Sequence, residues 1–162
     1  MRRFRVHAFA TAVLAGALLT SPLASASESE TDATAAQQQR FVLIQGDAEE
    51  SGGPIAATGP IHARGTDVVL GNRKDRFEFP DGNLIIKHKP KSGLTTESFD
   101  PVTCLFTFKE QGTWRAIKGT GAYTQVQGHG TYRVLGQGVG CDQDKPPEVF
   151  ILRIVARGPL SY

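Results

Sequence analysis

The chain predicts an all-β fold, an up-and-down antiparallel barrel or sandwich of seven or eight short strands with one disulfide. Three observations carry that expectation. Apolar and polar residues alternate with period two from Arg40 onward, and Gly, Pro and Asp-Gly breaks recur at short spacing. No stretch keeps a helical period: residues 115–125 come nearest and are interrupted by Gly119 and Gly121. Finally, Gly128, Gly130, Gly136, Gly138 and Gly140 share one parity, so an in-register strand puts all of them on one face. Residues without a Cβ permit the coiling and close backbone approach of a small closed barrel, which favours the barrel over the sandwich.

The order of elements begins with a leader. Arg2, Arg3 and Arg5 precede an apolar run from Ala8 to Leu19, and Ala24-Ser25-Ala26 forms a small-residue cleavage site. Residues 1–26 therefore read as a signal peptide, cleaved near Ala26-Ser27, of a secreted protein. The apolar run is too short to span a bilayer, and no later stretch of about 18 apolar residues exists, so no membrane span is expected. Residues 27–39 are Ser, Thr, Ala, Gln and acid without apolar pattern and read as a disordered lead-in. Residues 40–162 then form the single barrel domain.

Within it, Arg40 to Gln45 is a short β-branched strand ended by Gly46. Ile61, Ala63, Gly65 and Asp67 share one face, with His62 and Arg64 on the other. Asp75 to Phe79 and Leu84 to His88 flank Pro80-Asp81-Gly82-Asn83, the clearest hairpin, because Asp-Gly supplies the positive φ of a tight reversal. A second hairpin is expected at Gln111-Gly112, between Val102–Glu110 and Thr113–Lys118. Gly119 to Tyr123 reads as a glycine-rich loop, and Gly128 to Val134 as a returning strand. The last strand, Glu148 to Ala156, is apolar on both faces and should be covered on both sides.

Cysteine and charge usage narrow the setting. Cys104 and Cys141 are the only cysteines, with no C-x-x-C and no His within four residues of either, so they predict one structural disulfide. Closing that loop stabilises the fold by about 4 kcal/mol in the chain-entropy description. Removing residues 1–26 takes three arginines and no acid, so 18 cationic side chains become 15 against 16 acids. A near-neutral mature chain shows no electrostatic footprint for nucleic acid. Lys87-His88-Lys89-Pro90-Lys91 is a local basic run, either a solvated hairpin end or a contact for an anionic ligand.

Motifs for chemistry are sparse. The chain has no G-x-S-x-G elbow, H-E-x-x-H, P-loop lysine or paired zinc ligands. Gly136-Gln137-Gly138-Val139-Gly140 is followed by no helix, so neither a nucleotide cofactor nor a metal is expected. Asp67 and His88 are the candidate catalytic residues because each shares a parity with apolar neighbours. A carboxylate and an imidazole entering an apolar cavity would make an acid–base pair; at strand ends they would simply meet water. Arg153 shares the parity of Val149, Ile151 and Val155 and is either a buried partner of Asp67 or an outer-surface residue. Phe77, Phe79, Tyr132 and Arg153 are the candidate ligand-binding residues.

Several segments together carry a family likeness. They are Gly59 to Asp67, Asp75-Arg76-Phe77 with Phe79-Pro80-Asp81-Gly82, Phe99-Asp100-Pro101 with Cys104, Gly119 to Tyr123, and Gly128 to Tyr132. Over about residues 40–160 the chain resembles the secreted bacterial members of the allene oxide cyclase barrel-like group, which also contains the plant dirigent proteins. The resemblance implies an eight-stranded antiparallel barrel with a cavity, a homotrimer, and binding of a small apolar ligand. It further implies cofactor-independent cyclisation, isomerisation or stereo-guided coupling of a reactive apolar intermediate. No position matches the cyclase's catalytic carboxylate or the dirigent acids, so no catalytic residue is carried over.

Overall fold

In the computed structural model, residues 37–48, 51–142 and 144–162 are described. The leader and residues 27–36 lie outside them. The period-two pattern becomes nine strands: β1 (Gln37–Gln45), β2 (Gly52–Thr58), β3 (Ala63–Gly71), β4 (Lys74–Phe79), β5 (Gly82–Pro90), β6 (Thr96–Asp100), β7 (Leu105–Gly119), β8 (Gln127–Val139) and β9 (Val149–Ser161). The hydrogen-bonded order is β5-β4-β3-β2-β1-β9-β8-β7-β6, and a further β5–β7 pairing closes eight of the strands into a barrel. All pairings are antiparallel. Among the described residues no helix is long and apolar enough to cross a membrane.

The two ends of the barrel differ. At one end Gln37 pairs with Leu160, and inward-pointing Ile61, Phe79, Leu84 and Leu160 are almost fully buried. A single 3₁₀ turn, Gly121–Tyr123, folds over this end. Its anchors are the Ala122 N–H donating to Asp81 O at 2.8 Å and the Thr120 N–H donating to Asn83 O at 2.9 Å. Tyr123 then meets Phe79 edge-on at 6.3 Å, making a floor. Phe41, Phe77 and Trp114 form the middle layer, with Phe41 5.2 Å from Phe77 and 5.7 Å from Trp114. Burying each such side chain stabilises the fold by about 1.5–3 kcal/mol.

The other end is open and extended. Pro90 of β5 faces Gly112, while Thr96 of β6 faces Lys109, so β5 and β6 act as one interrupted strand along β7. The outer parts of β7, β8 and β9 run past the barrel rim with β6 and make an overhanging sheet. The predicted disulfide ties this overhang together: Cys104, after β6, is bonded to Cys141, after β8, with Cα atoms 4.7 Å apart.

Three expectations need correction. The strand predicted from Arg40 begins at Gln37, so residues 37–39 are not lead-in. Gln39 is 1% exposed, because its side-chain oxygen accepts from the Ile61 N–H at 2.9 Å and its amide donates to Thr58 O at 3.0 Å. Gln111-Gly112 is no turn: β7 runs straight through it, starting at Leu105 rather than Val102. Gly112 is needed there for close approach, since a Cβ would collide with the Lys89 carbonyl and the Tyr132 ring. The outer face of β9 is also uncovered within the chain, leaving Val149 64% and Ile151 50% exposed. The Asp81-Gly82 hairpin and the inward glycine face of β8 are as expected. The β3–β4 reversal uses positive φ at Asn72 (51°) and Arg73 (60°), the pair of left-handed residues that matches strand twist.

Candidate functional site

Between the aromatic middle layer and the open end, the inward positions turn polar. Asp67 comes from β3, Asp75 from β4, His88 from β5, Glu110 from β7 and Tyr132 from β8. They line a cavity of about 320 Å³ whose remaining wall is apolar, including Phe41, Leu43, Ile55, Phe77 and Trp114. An apolar trough of about 580 Å³ lies beneath the overhang and shares Phe108 and Leu152 with the cavity. Phe106 and Phe150, stacked with centroids 6.1 Å apart, line that trough.

The polar groups are arranged in two pairs and a singleton. His88 Nε2 lies 3.4 Å from Asp75 Oδ2. The Tyr132 hydroxyl donates to Glu110 Oε1 at 2.6 Å, and its ring meets the His88 ring edge-on at 5.7 Å. Asp67 is 5% exposed, and its Oδ1 has no hydrogen-bond partner among the described residues. Desolvation by burial, followed by the charge of Asp75, pushes the Asp67 carboxyl from 3.8 up to about 7. Burial also raises Asp75, while the neighbouring His88 pulls it the other way. Burial and the Glu110 bond raise the Tyr132 hydroxyl, keeping it a donor. Near neutral pH, Asp67 can thus donate a proton to a bound molecule or accept one from it.

Of the sequence candidates, Asp67, His88, Phe77 and Tyr132 all line this cavity. Asp67 and His88 are not a direct pair, because Asp75 occupies the position beside His88. Phe79 lies a layer deeper, in the floor against Phe77 and Tyr123, and does not line the cavity. Arg153 is on the outer wall: even-numbered residues of β9 face inward, so the odd-numbered arginine cannot reach Asp67. Asp75, Glu110 and Trp114 were missed. The same parity argument reaches them, since Asp75 is two residues from Phe77 and Glu110 two from Phe108. Among the described residues no group of three or more His, Cys, Asp or Glu could hold a metal.

No family model, curated protein or solved structure matches this chain.

Proposed function

We propose that the barrel binds one small, mainly apolar molecule in the cavity at its open end, with the polar end of that molecule on Asp67. The observation that supports this reading is the unpartnered Asp67 Oδ1. A buried polar atom without a partner costs about 1–3 kcal/mol, and a ligand hydroxyl, carbonyl or amine at that point removes the cost. The cavity volume falls at the small end of ligand pockets, which are apolar with few convergent polar groups. The trough beneath the overhang is the entry route on this reading.

Titration with the uncharged fluorophore N-phenyl-1-naphthylamine tests the proposal. Emission should rise saturably, and Ile154→Trp, which fills the cavity wall, should weaken binding at least tenfold. Equal binding by a folded Ile154→Trp variant would refute cavity binding.

A second reading is catalytic. A carboxyl titrating about 7, beside an Asp75–His88 pair, has the properties of a general acid–base, and these favour the cofactor-independent isomerase or cyclase chemistry that the resemblance implies. Turnover of a reactive apolar intermediate that is lost in Asp67→Asn at undiminished stability would establish it. Secretion is supported by the disulfide, which belongs to oxidising compartments. A homotrimer is supported only by the uncovered apolar face of β9, and sedimentation would decide it.

A further inference from the structure

The chain's near-neutral charge conceals a sharp segregation. Strands β1, β5, β7, β8 and β9 carry nine Lys and Arg residues and a single acid, Glu110. Glu110 turns inward to Tyr132, so the outward faces of these five strands hold cations alone. Asp67 and Asp75 are also inside the barrel. Glu78 is held by Arg76 at 2.7 Å, and the other described acids sit in connections or on β6.

Strand register assembles the cations into a belt. Lys74, Lys87, Arg115 and His129 are successive cross-strand neighbours over β4, β5, β7 and β8. Arg157 pairs directly with Arg40, and Arg133 faces Val155, between Arg153 and Arg157. Like charges placed directly opposite destabilise a sheet, and among the described residues none of the nine has a carboxylate within ion-pair distance. A groove of about 610 Å³ runs among Arg40, Lys109, Arg133, Arg153 and Arg157, with Glu110 the one acid along it. At its edge, the Arg40 Nε–H is buried without an acceptor among the described residues.

We propose that this belt is a binding surface for a linear anionic polysaccharide. Five inter-strand steps carry the belt from β4 round more than half of the eight-stranded wall to β1, an arc of about 24 Å, too long for one small anion and suited to a chain of regularly spaced charges that bends around the barrel. Guanidinium forks match sulfate and carboxylate groups in two-point contacts, and an anion across Arg40 and Arg157 removes their repulsion. Every Phe, Tyr and Trp on the five strands points inward, leaving the His129 imidazole as the single ring on the outward wall, so the wall offers little platform for stacking bases.

Isothermal titration with dextran sulfate, uncharged dextran and an oligothymidylate tests it. Dextran sulfate should bind, and its affinity should fall steeply between 50 and 200 mM salt as released counterions cease to favour binding. The triple variant Arg133→Gln/Arg153→Gln/Arg157→Gln should lose at least tenfold, while Arg64→Gln, on the far side of the barrel, should lose less than twofold. Single Arg133→Gln should lose about threefold and keeps the test decisive should the triple variant misfold. Salt-independent binding, equal binding of uncharged dextran, or full affinity in folded variants would overturn the proposal. Tighter binding of oligothymidylate would assign the belt to nucleic acid instead. Failure of dextran sulfate to bind a protein that sediments as an oligomer would assign it to a second copy of the chain.

Discussion

Replacing Asp67 by Asn keeps the shape and hydrogen-bonding capacity of the side chain but removes its ionisation. In the folded protein this carboxyl titrates about 7 rather than 3.8, so the native state holds its proton more tightly than the unfolded chain does. The unfolded state binds fewer protons between those values, and wild-type stability therefore falls as pH rises from about 4 to 7. Below that window both states are protonated and there is no penalty; above it the penalty is complete. Each pKa unit corresponds to 1.36 kcal/mol, so a shift of roughly three units sets a ceiling of about 4 kcal/mol. Relaxation and water entering from the open end reduce the realised value. Asp67→Asn should consequently match wild type near pH 4 and exceed its stability by about 2–4 kcal/mol at pH 8. Denaturant unfolding at unit pH steps from 4 to 9 measures that difference. A difference that stays flat across the range, or has the opposite sign, would refute the claim that Asp67 is buried at a desolvation cost.

Gly112→Ala should destabilise the barrel by about 1–3 kcal/mol, since the added methyl meets the Lys89 carbonyl and the Tyr132 ring and cannot be absorbed without moving a strand. Urea unfolding checks this, and wild-type stability would show that Gly112 is dispensable. Cys104→Ser/Cys141→Ser should lower stability by up to about 4 kcal/mol while leaving the barrel strands formed, because the bond lies in the overhang. Amide exchange should rise in β6 and the outer part of β8 and remain low at Phe41 and Leu84; uniform loss of protection would contradict that separation.

How far the sequence could be read depended on whether a signal was local. The Asp81-Gly82 hairpin was legible because its turn chemistry is contained in four residues. The alternation of Ile61, Ala63, Gly65 and Asp67 was enough to send Asp67 inward. Gln111-Gly112 misled for the complementary reason: its glycine answers to Tyr132 across the sheet, a contact invisible in a local window. Gln39 was hidden because its burial depends on backbone groups about twenty residues away. Asp75 as the partner of His88 required knowing that β4 and β5 lie side by side near the open end. The cationic belt could not be seen in a net charge, because compensating acids occupy the interior and the connections.

The pairing of Gln37 with Leu160 has a spatial consequence. It brings the two ends of the barrel's chain to the same point, beside the Tyr123 floor. Whatever is tethered through either end therefore hangs from the plugged side. The opening faces outward, away from the attachment, by roughly the length of a strand. A fused reporter or surface anchor at Tyr162 would leave both the entrance and the overhang unobstructed, whereas an insertion in the connection between β1 and β2 would sit beside them.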